Sequence, residues 1–315
     1  MARTVLITGG AGFIGSSLAA ALLAAGDTVR IIDDLSSGKR DNLEPLQGRA
    51  QLHEGSILDE KTLHRAADGV DVIFHQAAIP SVPRSMSAPQ ASHEANATGT
   101  LCVLEAARAL KVRRVVYAGS SSAYGDTPVL PKVETMAPLP LSPYAVSKLT
   151  GELYCRVYAR NFGVETVVLR YFNVFGPRQD PLSQYAAVIP RFITAALTDT
   201  QPVIFGDGTQ SRDFCFIDNV MDANMRAASA PADQASGRVF NVACGSAITL
   251  NEVVKMIGTM TGRDLTARYE PGRGGDVKHS LADISQARER LGYTGAIDFA
   301  EGLRRTVDWF RTRVS

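Results

Sequence analysis

A glycine-rich segment, GGAGFIG at residues 9–15, lies between an apolar run that ends at Thr8 and an alanine- and leucine-rich stretch over residues 13–25. Its glycines at positions 9, 12 and 15 allow a tight strand-to-helix turn. Backbone N–H groups at the start of the helix can then approach a pyrophosphate. Since glycines also serve ordinary turns, the strand before and the helix after decide the interpretation. The segment predicts a dinucleotide-binding turn.

Short apolar runs and helix-like stretches alternate through the first two thirds of the chain. The runs cover residues 4–8, 28–32, 70–75, 114–118 and 164–171, and the helix-like stretches cover 13–25, 92–110 and 144–161. Apolar strands separated by helices are typical of a parallel sheet covered on both faces. Beyond about residue 173, prolines and glycines break this rhythm before two more helical stretches, near 284–291 and 299–312. We predict an α/β protein with a smaller, less regular region after the sheet.

The composition is that of an ordinary globular protein. Hydrophobic residues make up 45% of the chain, charged residues 21%, and the formal net charge is +1. This balance predicts no nucleic-acid or membrane partner. The cysteines form no CxxC pair, and neither a signal peptide nor a membrane span is recognisable, so we expect a reduced, cytoplasmic protein. No metal site is expected, because the candidate histidine ligands are scattered, at His75, His93 and His279.

Two acidic residues, Asp33 and Asp34, follow the second apolar run. Asp33 lies 18 residues beyond Gly15, where a dinucleotide-binding unit places the carboxylate that binds the adenosine ribose hydroxyls. A 2′-phosphate would meet negative charge there, and no arginine follows the strand directly. The pair therefore favours NAD over NADP, with the capping of a turn as the alternative role of Asp34.

Tyr144 is the only tyrosine with a lysine four residues further on, Lys148. On a helix this spacing puts the phenol and the ammonium on one face, and Pro143 suits a helix start. A nearby ammonium stabilises phenolate and lowers the pKa of a tyrosine, which suits a proton-transfer catalyst. Because this spacing is also common in surface pairs, its interpretation depends on the neighbouring motifs.

Three serines, Ser120 to Ser122, follow the apolar run at residues 114–118. Hydroxyls at the carboxyl edge of a parallel sheet face the ligand crevice, so one of them could share the proton of a reacting oxygen. The alternative is a serine-rich turn that caps its own backbone. The glycine-rich turn and the pair of Tyr144 and Lys148 favour the first interpretation.

Six motifs in this order, TGGAGFIG, HQAA, SSSAYGD, SPYAVSK, LRYFNVFG and SRDFCFIDN, make the chain resemble the extended short-chain dehydrogenase/reductase family. The resemblance implies an NAD-binding Rossmann domain, a doubly wound parallel sheet, over residues 1–175, joined by a segment near 214–243. It implies a smaller C-terminal UDP-sugar-binding domain over residues 176–315. It also implies a catalytic set of Ser120, Tyr144 and Lys148.

The resemblance also implies further site residues, at the positions of this chain that match the family's motifs. Asn96 resembles an asparagine near the active site, Tyr171 the residue beside the nicotinamide, and Asn173 one that touches the substrate phosphates. The resemblance implies a cofactor site of Gly9, Gly12, Phe13, Ile14, Gly15, Asp33, Asp34, Ser37, Gly38, Ser56, Ile57, Gln76, Ala77, Ala78, Asn96, Tyr144, Lys148 and Tyr171.

The expected reaction follows from what the catalytic region lacks. Related dehydratases resemble each other in an acidic pair just before the tyrosine that matches Tyr124, and related decarboxylases usually have a glutamate there. This chain has Ser121, Ser122 and Ala123 instead. Without a carboxylate for elimination, 4-epimerisation remains, in which NAD accepts and returns one hydride. The resemblance implies a UDP-hexose 4-epimerase that acts through a transient 4-keto sugar.

Most positions that would hold the nucleotide sugar lie in the second region. Val203 and Phe205 resemble uracil-contacting positions, whereas Arg212, Arg273 and Asp276 resemble those that hold the diphosphate and ribose. Motifs at residues 81–86, 120–134, 171–190 and 275–283 narrow the resemblance to the UDP-N-acetylhexosamine 4-epimerases. The implied substrate site is Ser81, Ser121, Ser122, Asn173, Gln179, Ala187, Val188, Val203, Phe205, Arg212, Arg273, Asp276 and Ser280.

Ser280 bears on the size of the sugar. It lies four residues after Asp276, at a position where a bulky tyrosine in UDP-galactose epimerases excludes N-acetyl groups. A serine leaves room for the acetamido group, so we expect interconversion of UDP-GlcNAc and UDP-GalNAc, and of UDP-glucose and UDP-galactose. The alternative is that Ser280 only starts a turn.

Other functions stay open at this stage. One is epimerisation of UDP-glucuronic acid or a UDP-N-acetylhexosaminuronic acid, and another is a non-catalytic NAD-binding protein, which the presence of Tyr144 and Lys148 disfavours. The helices over 92–110 and 144–161 are apolar on more than one face, and the resemblance implies a homodimer built on a four-helix bundle. The apolar residues in question are Leu101, Leu104, Leu149, Leu153 and Val157.

Overall fold

A computed structural model describes residues 2–181, 187–272 and 277–313. The strands are β1 (Thr4–Thr8), β2 (Thr28–Asp33), β3 (Gln51–Glu54), β4 (Val72–His75), β5 (Arg114–Ser120), β6 (Glu165–Tyr171), β7 (Val174–Phe175), β8 (Val203–Phe205), β9 (Ser211–Asp213), β10 (Cys215–Phe216), β11 (Arg238–Val242), β12 (Ala247–Thr249) and β13 (Arg268–Glu270). The helices are α1 (Phe13–Ala24), α2 (Glu60–Ala67), α3 (Val82–Ser87), α4 (Pro89–His93), α5 (Gly99–Ala109), α6 (Pro143–Asn161), α7 (Val188–Leu197), α8 (Ile217–Ser229), α9 (Ala232–Ala235), α10 (Leu250–Thr261), α11 (Ser285–Leu291) and α12 (Phe299–Arg311).

Seven parallel strands form the central sheet, in the order β11-β6-β5-β4-β1-β2-β3. The order reverses between β1 and β4, where Thr8 pairs with His75. In such sheets ligands bind at the carboxyl ends of the strands beside this reversal. At the same edge, Ser120 at the end of β5 pairs with Tyr171 at the end of β6. The topology therefore brings the turns of the separate motifs to one edge.

Apolar side chains cover both faces of the sheet. Val116 lies on one face, in a cluster with Leu18 of α1 and Val220 of α8. Its neighbour Val115 lies on the other face, in a cluster with Val103 of α5. This alternation is the period of two that a strand imposes. Burial of each such side chain contributes about 1.5–3 kcal/mol, so the two clusters hold the helices to the sheet.

The later part of the chain builds three small sheets, in which β7 pairs with β10, β8 with β13 and β9 with β12. Strand β11 returns to the main sheet beside β6, and α8 packs against β5 and β6. Residues from 217 to 242 thus contribute to the layer formed by the first part of the chain. The division into domains at residue 175 stays a prediction. Over the described ranges, no helix is long and apolar enough to cross a membrane.

One long predicted helix is interrupted. The sequence pattern predicts a single helix over residues 92–110, but the structure has α4, then a π-helical turn at Glu94–Thr98, then α5. The side chain of Asn96 in this turn is buried and accepts a hydrogen bond from the backbone of Ile79. Such π turns are frequent at functional sites, and periodicity does not reveal them. Several other boundaries shift by one or two residues; for example, α1 ends at Ala24 and β4 begins at Val72.

Candidate active site

The glycine-rich turn lies between β1 and α1, at the reversal of strand order. A Cβ atom on Gly9 would lie 2.7 Å from the backbone of Ala77, and one on Gly15 would lie 2.2 Å from the carbonyl oxygen of Gly9. Gly12 is the N-cap of α1, and within the described ranges no side chain caps this helix. Phe13 and Ile14 form its first turn, so their N–H groups point towards a ligand placed at the helix start. These residues fit the pyrophosphate of NAD.

Asp33 is buried at the end of β2 and shapes the same turn. Its Oδ2 accepts a hydrogen bond from the Ala11 backbone at 2.8 Å, and its Oδ1 accepts one from Leu35 at 2.9 Å. Burial raises the pKa of the carboxyl group, and these two backbone donors oppose that shift. A Cβ on Gly38 would lie 2.8 Å from Asp33 Oδ1, so only glycine fits beside the carboxylate.

Asp34 and the residues after it have a different environment. Asp34 is exposed, and its Oδ1 accepts hydrogen bonds from the backbone of Ser36 at 3.0 Å and from its hydroxyl at 2.6 Å. This geometry is the turn cap that the sequence analysis kept as its alternative. Ser37 is exposed in the same loop.

The remaining predicted cofactor residues follow β3 and β4 at the same sheet edge. Ser56 Oγ accepts a hydrogen bond from Leu58 at 3.1 Å, so this hydroxyl is part of its own turn. Ile57 is buried, and its Cδ1 would lie 2.5 Å from a Cβ on Gly99. The Ala77 backbone donates to Thr8 Oγ1 at 3.1 Å and joins the two strands next to the reversal. The partly buried Gln76 and Ala78 lie on either side of Ala77.

The three predicted catalytic side chains come from β5 and α6. Ser142 caps α6 by accepting a hydrogen bond from the Ala145 backbone at 3.2 Å, and Tyr144 stands in the first turn. The Ser120 side chain lies close enough to the Tyr144 hydroxyl to lower the pKa of that tyrosine. Ser120 Oγ also lies 2.8 Å from Ser122 Oγ, so one proton can be shared along this row of hydroxyls.

Lys148 is buried one helical turn after Tyr144, and burial lowers its pKa to about 8. Burial also raises the pKa of Tyr144, although the Ser120 side chain opposes this. The sequence analysis expected the lysine to lower the pKa of the tyrosine. Burial decides the net direction of the Tyr144 shift, which helical spacing does not show, and the effect of the lysine on the tyrosine stays a prediction.

Asn96 connects the π-helical turn to the catalytic helix. Its Nδ2 donates to Ser147 Oγ at 3.0 Å, and the Ser147 hydroxyl donates to the carbonyl oxygen of Tyr144 at 2.8 Å. Its Oδ1 accepts from Ile79, which follows β4. Asn96 therefore lies behind Tyr144 and holds its helix to the loop that carries Gln76.

Six predicted substrate residues lie together in one pocket of about 260 Å³. The uracil and phosphate candidates meet there because β8 and β9 lie beside the start of α7. Among the described residues, no side chain caps α7, so its first N–H groups can donate to a phosphate. The pocket also contains Arg191, Gln210 and Leu250, which the sequence analysis missed. The predicted residues are Asn173, Ala187, Val188, Val203, Phe205 and Arg212.

The other described substrate candidates are not among the residues that line this pocket. Ser81 Oγ caps α3 by accepting from the Arg84 backbone at 3.1 Å. Ser121 and Ser122 are half-buried in a 3-10 turn at Ser121–Tyr124, at the carboxyl end of β5. Gln179 Nε2 donates at 3.1 Å to the carbonyl oxygen of Val174, a pocket residue. Two predictions, Arg273 and Asp276, lie outside the described residues.

Ser280 and the missed residue Asp213 share a buried region beside the pocket. The Ser280 backbone donates at 3.0 Å to the carbonyl oxygen of Ser211, which precedes Arg212. Asp213 is fully buried, and its carboxylate accepts from the backbones of Cys244, Gly245 and Ala282 at 2.9, 3.0 and 3.1 Å. Burial raises the pKa of Asp213 to about 6. This carboxylate therefore links the loop that carries Ser280 to β9. The position of Asp213 inside the SRDF motif is the sequence feature that could have identified it.

Comparisons with known proteins agree with this geometry. Residues 5–243 match the NAD-dependent epimerase/dehydratase family. A UDP-glucose 4-epimerase of Mycolicibacterium smegmatis is 39% identical over 312 residues, which cover 98% of each chain. The structure of UDP-N-acetylglucosamine 4-epimerase from Methanobrevibacter ruminantium M1, in complex with UDP-N-acetylmuramic acid, superposes with a TM-score of 0.92 at 39% identity over 99% of each chain.

A third protein was solved with a cofactor. The UDP-glucuronic acid 4-epimerase of Bacillus cereus, in complex with UDP-glucuronic acid and NAD, gives a TM-score of 0.91 at 33% identity, covering 98% of this chain and 99% of that one. The chain belongs to the NAD-dependent epimerase/dehydratase family. The expected Rossmann-type fold, the NAD cofactor and an NAD-dependent isomerase in the class of the UDP-sugar 4-epimerases are confirmed by these similarities.

Proposed function

We propose that this chain interconverts UDP-GlcNAc and UDP-GalNAc, and also UDP-glucose and UDP-galactose, through a transient 4-keto sugar. The observation that carries the proposal is the small, buried side chain of Ser280, whose backbone is anchored to the residue before Arg212. A side chain of this size leaves room at the pocket for the acetamido group at C2 of the sugar.

A second observation concerns how the acetamido group would be bound. Gln179 Oε1 is buried and has no hydrogen-bond partner among the described residues. A buried acceptor without a partner costs about 1–3 kcal/mol, which an amide N–H from the substrate would offset. Ser121 and Ser122 offer further hydroxyls at the other side of the site. The amide N–H of an N-acetyl sugar therefore offers a donor that complements Gln179 Oε1.

The catalytic residues supply the proton chemistry. Tyr144 takes the proton of the sugar 4-hydroxyl, and Ser120, whose side chain lowers the pKa of Tyr144, shares that proton. Lys148, one turn away, provides the positive charge that favours the phenolate. When bound at the glycine-rich turn, NAD⁺ would supply a reversible acceptor for the hydride at C4 of the sugar. Because the cofactor is regenerated, no second substrate is needed.

The nucleotide part of the substrate would bind in the pocket that Arg212 lines. We propose that Val203 and Phe205 contact uracil, and that Arg212 and the uncapped start of α7 bind the diphosphate. Within this proposal, residues 1–175 with the segment at 214–243 bind NAD, and residues 176–315 bind the UDP-sugar. Arg212 Nη1 donates to the carbonyl oxygens of Ser211 and Lys278, so its guanidinium is already oriented at the pocket wall.

A substrate panel tests the proposal. The purified protein is incubated separately with UDP-GlcNAc, UDP-GalNAc, UDP-glucose, UDP-galactose and UDP-glucuronic acid, and the products are separated by chromatography. We expect UDP-GlcNAc and UDP-GalNAc to reach the same mixture from either side, with slower turnover of UDP-glucuronic acid. Turnover of UDP-glucuronic acid alone would assign the protein to the alternative uronic acid epimerases. No product from either acetylated sugar would refute the proposal.

A further inference from the structure

We propose that Asn224, on α8, is a positioning residue that orients Tyr171 and Gln76 at the cofactor edge of the active site. This inference rests on the proposed function, because it assigns Tyr171 a place beside the nicotinamide. Asn224 belongs to none of the sequence motifs that predict the cofactor site. The structure brings it there through the packing of α8 against β5 and β6.

Asn224 is fully buried, and both polar atoms of its amide are engaged. Its Nδ2 donates to the Tyr171 hydroxyl at 2.8 Å and to the carbonyl oxygen of Val220 at 2.7 Å. Its Oδ1 accepts a hydrogen bond from Gln76 Nε2 at 3.3 Å. Gln76 Nε2 also lies 3.1 Å from the Tyr171 hydroxyl, so the three side chains form a closed cluster.

The cluster spans three strands of the sheet. Gln76 follows β4 and Tyr171 ends β6, and β5 lies between these two strands. The Tyr171 side chain must therefore reach past the end of β5 to meet Gln76. The hydrogen bonds that pair the strands fix the backbone of Tyr171, but they do not fix its side-chain hydroxyl. Asn224, on helix α8, hydrogen-bonds to the Tyr171 hydroxyl and so fixes the direction of the tyrosine ring.

The two sides of the active site come from opposite faces of the sheet. Tyr171 packs in the core cluster of α1 and α8, whereas Tyr117, which lies under Lys148, packs in the cluster of α5. A nicotinamide at the carboxyl edge would thus have Tyr171 on one side and the pair of Tyr144 and Lys148 on the other. The angle of the Tyr171 ring then sets how the nicotinamide faces the sugar carbon. A displacement of about 1 Å can slow a reaction by on the order of a hundredfold.

The polarity of Asn224 also points to a role beyond packing. It stands on the buried side of α8 among Ala223, Ala227 and Ala228, where an apolar residue would satisfy the core. Buried amides are retained where a specific hydrogen-bond network is needed, because a partly satisfied network weakens the fold. Here the network ends on two side chains that face the ligand edge, which are Tyr171 and Gln76.

The test compares Asn224→Leu, Tyr171→Phe and the double variant with wild type. Each protein is first loaded with NADH, and release of this NADH is followed by its fluorescence in the absence of any sugar. In separate assays with the NAD⁺ form, kcat and KM are measured with UDP-GlcNAc. We expect each single variant to release NADH faster and to lose on the order of tenfold in kcat, with KM unchanged. If Asn224 acts through Tyr171, the kcat of the double variant falls no further than the kcat of the more impaired single variant.

A matched control lies on the same helix. Asn219→Leu removes a buried amide that bonds to the carbonyl oxygen of Ile297 instead of the cluster, so its NADH release should stay at the wild-type rate. Wild-type release from Asn224→Leu, or losses that multiply in the double variant, would overturn the proposal. If Asn224→Leu fails to fold, Tyr171→Phe, which keeps the ring, must still show faster release. Because NADH release needs no sugar, this result is independent of the substrate panel.

Discussion

The Lys148 ammonium nitrogen lies 4.7 Å from the centre of the Tyr117 ring, and the hydroxyl of that tyrosine donates to the Lys148 carbonyl oxygen at 3.1 Å. Both side chains are buried, and Tyr117 packs against His75 with ring centres 5.5 Å apart. The aromatic ring partly replaces the water that the ammonium loses. The ring does not replace all of the lost hydration, because burial still lowers the pKa of Lys148 to about 8.

This pKa predicts a pH-dependent contribution of Lys148 to stability. Between pH 8 and 10.5, the unfolded chain holds the lysine proton and the folded chain does not, so the free energy of unfolding rises with pH in this window. At about 1.4 kcal/mol per pKa unit, the rise amounts to at most about 3.5 kcal/mol. Urea unfolding of wild type and Lys148→Met at several pH values measures it. Parallel pH profiles for the two proteins would contradict the assignment.

Replacement of Tyr144 should remove the chemical step. In Tyr144→Phe no group remains to take the 4-hydroxyl proton, so kcat should fall by about 10²–10⁴-fold while NAD binding persists. Tyr154→Phe, on the same helix, is the matched control and should keep wild-type turnover. Product analysis with UDP-GlcNAc measures turnover, and titration of each apoprotein with added NADH, followed by fluorescence, measures dinucleotide binding. Full turnover by Tyr144→Phe would exclude this tyrosine as the base.

Asp33 should set the preference for NAD. In Asp33→Ser the negative charge that a 2′-phosphate would meet is gone, so NADP affinity should rise relative to NAD affinity. Asp34→Ser is the control, since the exposed Asp34 carboxylate accepts hydrogen bonds from Ser36. Titration of the apoprotein with each dinucleotide measures both affinities. Equal binding of NAD and NADP by wild type would show that the charge argument is wrong.

Ser280 should control the size of the accepted sugar. Ser280→Tyr places an aromatic ring at the pocket, so turnover of UDP-GlcNAc and UDP-GalNAc should fall at least about tenfold while UDP-glucose and UDP-galactose react as before. Ser280→Ala keeps the space and should keep all four activities. Ratios of kcat/KM for the paired substrates give the answer. Unchanged ratios in Ser280→Tyr would remove Ser280 from the specificity pocket.

We propose a homodimer formed by the outer face of α6 together with α5. Val146, Leu153 and Val157 occupy one face of α6, and each side chain is about half exposed. Leu104, which the sequence analysis placed among the candidate contacts, is instead fully buried in the core. A charge at the interface centre should dissociate the dimer, so Val157→Glu should sediment as a monomer and the exposed control Val129→Glu as a dimer. A monomeric wild type at micromolar concentration would refute this.

Short-range patterns predicted the elements that carry the site. The glycine spacing at residues 9–15 required the strand-to-helix turn, because a Cβ at Gly9 or Gly15 would collide with backbone atoms. The spacing of Tyr144 and Lys148 placed them on one helix. Both signals are local, since each depends on chain geometry within a few residues. The fold class followed from the alternation of such segments.

What the sequence by itself determined is therefore the Rossmann-type sheet and the identity of its ligand-edge motifs. Only the tertiary structure decided which distant residues complete them: Asn224 reaches Tyr171 across 53 positions, and the Asp213 carboxylate reaches Ala282 across 69. It also decided the sign of the Tyr144 pKa shift, because desolvation depends on every element packed around a group. Contacts of this kind form between helices and strands that are far apart in the chain, and no local period records them.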